Sequence, residues 1–117
     1  MMAINREDIG KLDFSDVATG RRLKPVHPGT VLTEDFIKAH GITRYRVAKA
    51  MGVPQRRVDE ICAGNRSVSA DTALRLERVF SVEAQFWLNL QASYDLGIAS
   101  RNKARIEREA QPLASVM

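Results

Sequence analysis

At 117 residues and a formal net charge of +4, the chain has room for one domain with a modest core and tails. One cysteine and two histidines, with no CxxC, exclude an internal disulfide framework and argue against structural zinc, so neither metal nor cofactor is expected. No apolar run approaches the roughly 20 residues of a membrane span, and MMAINREDIGKLDF lacks the apolar core of a signal peptide, so a cytoplasmic protein is expected.

Residues 1–26 mix charges with small residues and end in the basic run Arg21-Arg22-Leu23-Lys24-Pro25. Their scattered apolar positions, Ile4, Ile9, Leu12, Phe14 and Val17, suit a docked arm and a flexible one equally. The compact part opens at His27-Pro28-Gly29-Thr30. Pro28 fits the first position of a helix running to about His40, with Val31, Leu32, Phe36 and Ile37 as its buried stripe and Gly41 as its stop. His27 and His40 have no third ligand nearby and read as surface or capping residues.

The most informative stretch is Thr43 to Gly64, TRYRVAKAMGVPQRRVDEICAG. Val47, Ala48 and Met51 define one short amphipathic helix, and Val58, Ile61 and Cys62 define another. Gly52-Val53-Pro54 separates them, with Gly52 suited to a helix C-terminus and Pro54 to the first turn of the next helix. Two helices joined by so short a turn are the minimal helix-turn-helix, whose second helix enters the DNA major groove. Between Thr43 and Arg66 stand six cations, Arg44, Arg46, Lys49, Arg56, Arg57 and Arg66, against Asp59 and Glu60. Six minus two is +4, the net charge of the whole chain. Such localisation fits a phosphate-binding surface; the plain alternative is a solvated basic face.

Thr43 is placed to cap the first of these helices, with Arg44 and Arg46 beside its free amides as a phosphate clamp. Tyr45 either touches a phosphate or packs on the preceding helix. The second helix, about Pro54–Ala63, turns Arg56 and Glu60 outward, with Gln55, Arg57 and Asp59 flanking. Gln55 and Arg56 are the base-reading candidates, because Gln pairs bidentately with adenine and Arg with guanine. Arg57 fits a phosphate. For Glu60, two readings stand: it accepts from a cytosine amino group, or with Asp59 it holds the arginines by ion pairing. Cys62 reads as a small core residue. In the following turn Gly64 ends the helix, and Asn65, Arg66 and Ser67 lie at the groove edge as further phosphate contacts.

Ser69 then caps a fourth helix with Asp71 in its first turn; Ala73, Leu76, Val79 and Phe80 are its inner stripe. A fifth helix starts near Glu83 or Ala84 and runs to about Ala99. Phe86, Trp87, Leu90 and Tyr94 make one apolar face and Leu88 and Ala92 a second. A second copy of the chain covering Leu88 and Ala92 gives a homodimer that reads a palindrome; the alternative cover is the arm or the tail. Residues 100–117 are a charged helical continuation, RNKARIEREA, broken at Pro112. The domain plan is therefore an arm (1–26), a helix-turn-helix domain with a C-terminal dimerisation helix (27–99) and a charged tail (100–117). No carboxylate pair, nucleophile–base pair or glycine-rich phosphate loop supports an enzyme or a small-molecule substrate.

PVHPGTVL, GVPQRRVDEICAG, SADTALRLERVF and EAQFWLNLQASYDL together resemble the HigA-type antitoxins of bacterial toxin–antitoxin modules. These are a branch of the lambda-repressor-like (XRE) helix-turn-helix family. The resemblance runs from about Pro25 to Ile98. It implies an all-α, five-helix fold and a homodimer that represses its own operon at a palindromic operator. It also implies binding to a HigB-type toxin, a ribosome-dependent mRNA endonuclease. The family's base-reading positions fall on Gln55 and Arg56 with Arg57 beside them, its phosphate position on Thr43–Arg44, and its structural aromatic motif on Trp87, Leu90 and Tyr94. The chain departs from the family pattern at Pro54, at Glu83-Ala84-Gln85, and in its long N-terminal extension. The alternative within the same fold is a stand-alone transcriptional regulator without a toxin. A third reading, a protein-interaction module that has lost DNA binding, rests on Asp59 and Glu60.

Overall fold

The opening helix starts where its sequence gives it a cap. In the computed structural model, which describes residues 24–116, the His27 ring accepts a 2.8 Å hydrogen bond from the Gly29 amide through Nδ1. α1 begins there as an α-helical turn, Pro28–Val31, and continues as a π-helical stretch, Leu32–Ile37. The Thr33 hydroxyl donates to the Gly29 carbonyl at 2.8 Å, a back-bond of the kind that bends helices. The wider turns end at Ile37, three residues before the expected stop at His40, and Gly41 takes a positive φ of 64°.

α2 (Arg44–Met51) is capped by Thr43, whose hydroxyl accepts from the Arg46 amide at 3.1 Å. Gly52 ends it at φ 74° in the left-handed region, where a side chain is disfavoured. α3 (Gln55–Cys62) follows after Val53 and Pro54. Pro54 stands at the N-cap, one residue earlier than expected, with extended backbone (ψ 145°) and no side-chain cap. Gly64 leaves the helix at φ 81°. α4 (Ala70–Phe80) is capped by Ser69 on the Thr72 amide, and α5 (Ala84–Ala99) matches its expected bounds. A 3-10 turn, Ser100–Asn102, leads to α6 (Lys103–Glu109) and α7 (Leu113–Val116). The described residues contain helices and no strand, as the all-α reading requires.

One core joins α1 to α5: Leu32, Ile37, Val47, Ala48, Met51, Val58, Ile61, Val68, Ala73, Leu76 and Trp87. The periodic apolar positions of α2 and α3 supply Val47, Ala48, Met51, Val58 and Ile61, and Trp87 of α5 joins them with no exposed surface. Phe36 lies 5.0 Å from the rings of both Phe80 and Trp87 and so ties α1 to α4 and α5. Gln91 is buried as well. Its Oε1 accepts from the Val68 amide at 2.8 Å and its amide donates to Asp95 at 3.0 Å. It thereby satisfies a loop amide that no helix could pair.

Leu88 is half-buried and packs on this core, whereas Ala92 is exposed. The outer side of α5 also leaves Leu96 69% exposed. The arm enters along the same helix, for a Cβ on Gly97 would stand 2.7 Å from the Pro25 ring. The expectations for residues 1–23 lie outside the described residues. No helix among the described residues is long and apolar enough to cross a membrane.

His27 caps α1 through one ring nitrogen. Nδ1 must be bare to accept from Gly29, and the ring meets Tyr94 edge-on at 4.9 Å. Burial holds its pKa below the ordinary 6.5, partly offset by the Arg66 backbone and by Asp95. The folded state therefore prefers the neutral ring. Stability from this site is complete above pH 6.5 and is lost as pH falls below 6.5 toward the folded value. Melting curves in steps below pH 7 should show this loss, and His27→Asn, which keeps a capping group, should flatten it. An unchanged slope in the variant assigns the loss to other groups.

Candidate nucleic-acid interface

The outward side of the helix pair is built from three short pieces: the start of α2, the outer face of α3, and the turn after α3. Thr43 has its oxygen committed to the Arg46 amide, and the exposed side chains of Arg44, Tyr45 and Arg46 project around that helix end. Tyr45 is 53% exposed, so it is not packed on α1. Gln55 and Arg56 open α3 and are both exposed, as are Asn65, Arg66 and Ser67 beyond it. All ten predicted contact residues except Arg57 and Glu60 are thus open to solvent.

Arg57 is drawn partly inward, its Nη1 3.6 Å from Asp71 of α4. Asp71 also accepts from Arg75 at 2.8 Å, and Arg75 in turn donates to the Met51 carbonyl at 2.8 Å. One chain of charge-assisted contacts therefore links the end of α2, α4 and the start of α3.

The two carboxylates that looked out of place beside a polyanion are both engaged. Asp59 lies 3.3 Å from Arg44 Nε, across the α2–α3 angle. Glu60 accepts from Arg56 Nε at 3.1 Å through one oxygen and from Arg66 Nε at 2.7 Å through the other. Both arginines hold the Glu60 carboxyl below its ordinary pKa, with the Arg66 bond the larger cause. Of the two readings of Glu60, the ion-pairing one matches this geometry. A direct base contact would require breaking both bonds.

One cation of this surface lay outside the predicted site. Lys49, one turn along α2, places Nζ 3.4 Å from the Tyr45 hydroxyl and 5.7 Å from its ring centroid. Its i, i+4 spacing from Tyr45 was the available signal. Cys62 is half-buried, and burial raises its thiol pKa, which keeps it protonated and suits a packing role. His40 donates from Nδ1 to the Phe36 carbonyl at 2.7 Å, since a carbonyl only accepts. Neither histidine faces a set of potential metal ligands among the described residues.

A helical core that presents α3 beside the capped end of α2, with cations on both, defines a helix-turn-helix protein. The helix-turn-helix family model matches residues 34–87. Virulence-associated protein I of Dichelobacter nodosus is 42% identical over 91 residues, 77% of this chain and 84% of that protein. An addiction module antidote protein of the HigA family from Coxiella burnetii is 40% identical with a TM-score of 0.73, over 77% of this chain and 99% of that one. The Pseudomonas aeruginosa antitoxin HigA, solved with higBA promoter DNA, is 41% identical with a TM-score of 0.73, over 76% and 98% of the two chains. The chain belongs to the HigA family of helix-turn-helix antitoxins.

Proposed function

We propose that this antitoxin is a cytoplasmic, non-enzymatic, dimeric autorepressor that binds a palindromic operator and neutralises a HigB-type toxin. The observation that carries the DNA half is the exposure of Arg44, Arg46, Gln55, Arg56 and Arg66 at the start of α2, the head of α3 and the turn beyond it, together with the promoter DNA bound to the Pseudomonas aeruginosa relative. Gln55 and Arg56 read base edges, while Arg44, Arg46, Arg57, Arg66 and the polar groups of Thr43, Asn65 and Ser67 hold phosphates. The exposed outer side of α5, with Ala92 and Leu96 beside Leu88, takes the second copy. The pairing places two α3 helices on successive turns of the duplex.

The decisive experiment is an electrophoretic shift on the DNA upstream of the protein's own gene, with and without the product of the adjacent gene. A specific shift that the neighbour alters supports both halves. No shift at low salt defeats the DNA half, and failure to co-elute with the neighbour defeats the toxin half. Within this reading, Arg56→Ala should weaken operator binding by about 1–3 kcal/mol and relax one base position per half-site, as for a lost bidentate guanine contact. Arg44→Ala should weaken all duplexes alike and lower the salt dependence by roughly one counterion per subunit. Competition against a library of single-base operator variants separates the two outcomes. Undiminished base preference in Arg56→Ala would show that another side chain reads the operator.

A further inference from the structure

The Glu60 carboxylate has a geometry that mere neutralisation does not require. Glu60 takes Arg56 at Nε, and it takes Arg66 at Nε as well. Asp59 makes only a looser ion pair, its Oδ1 3.3 Å from Arg44 Nε without a hydrogen bond. A guanidinium gripped at Nε keeps both terminal nitrogens free. Those two nitrogens form the fork that a guanine edge or a phosphate accepts bidentately. Glu60 is well placed to impose this, because it is the less mobile partner: its side chain is 30% exposed against 86% for Arg56. An arginine side chain otherwise has many rotamers to lose on binding.

Resting on the operator-binding reading above, we infer that Glu60 is the positioning residue for DNA discrimination: it aims Arg56 and Arg66 together, without touching a base. One carboxylate thus couples a base-reading arginine on α3 to a phosphate-binding arginine in the turn beyond it. Both of its oxygens are needed, one for each arginine. The cost is a negative charge close to the DNA backbone, which weakens binding to every duplex.

That opposition gives the test. Glu60→Gln keeps the shape, removes the charge, and leaves one acceptor oxygen where two were used. Affinity for random-sequence duplex should rise and fall more steeply with salt. The ratio of operator to random affinity should drop about 10-fold as the ordering of Arg56 is lost. The relaxed position in a single-base library should be the one that Arg56→Ala relaxes. In the Arg56→Ala background, Glu60→Gln should relax nothing further at that position. A drop in both affinities with a lower melting temperature would make Glu60 merely structural and overturn the inference. Relaxation at a different base pair would make it a direct reader, and an unchanged ratio would leave it without a role in discrimination. Wild-type protein that fails to prefer its operator would defeat the operator-binding reading itself.

Discussion

Replacing Trp87 by alanine is expected to destabilise the domain by about 3–5 kcal/mol, the usual range for deleting a fully buried large aromatic. The ring has no solvent exposure, stands 5.0 Å from Phe36 and 5.1 Å from Phe86, and closes the core where α1 meets α5. A domain of this size has about 5–15 kcal/mol in all, so the variant should be close to unfolding at 37 °C. Trp87 is the only tryptophan, so urea unfolding must be followed by circular dichroism rather than by fluorescence. The midpoint should fall with the slope unchanged. Trp87→Phe should cost much less. It keeps an aromatic ring in the cluster and removes a buried indole N–H that has no acceptor among the described residues, a group whose burial itself opposes folding by about 1–3 kcal/mol. Equal losses for the two variants would mean that the ring's contacts are not what holds α5.

The parts of this architecture legible in the sequence are those set by local rules. Thr43 and Ser69 cap α2 and α4 as their side-chain chemistry requires, and Gly52 and Gly64 leave their helices with positive φ. The apolar spacing of Val47, Ala48 and Met51, and of Val58 and Ile61, points into the core as the helical period demands. The illegible parts depend on contacts distant in sequence or on a small change of period. Nothing near Gln91 indicates that it serves the amide of Val68, 23 residues away. The π-helical stretch of α1 shifts hydrogen bonds by one residue, and a 3.6-residue pattern over so short a segment does not resolve that. At the candidate site the exposure of eight of the ten residues could be read, because polar side chains off the apolar stripe of a short helix or in a turn face solvent. The pairing of Glu60 with both Arg56 and Arg66 could not, since only the i, i+4 half of it is local. Leu88 shows the converse: an apolar residue set apart on a helical wheel still touches the core when the neighbouring helices wrap far enough round.

Gly29→Ala is the second large effect, and it connects packing to recognition. A Cβ on Gly29 would lie 1.8 Å from the Ile61 carbonyl oxygen and 3.0 Å from the Cys62 Cα. Both are backbone atoms at the end of α3, so no rotamer change relieves the overlap. The start of α1 and the end of α3 must part by more than an ångström, because ordinary contact begins near 3.4 Å. Overpacking of this kind costs about 1–3 kcal/mol, and backbone obstacles belong at the upper end. The displacement falls on the helix that carries Gln55 and Arg56, while Thr43 and Arg44 stay with α2. Operator affinity should therefore fall by more than the loss of folded protein explains, with discrimination reduced alongside. Measured well below its melting temperature, where the variant is fully folded, a wild-type affinity would show that α3 tolerates the shift. A wild-type melting temperature would show that α1 and α3 do not meet as closely as Gly29 implies. Either result separates the two jobs that this glycine is argued to do, namely closing the core and setting the height at which the recognition helix meets the groove.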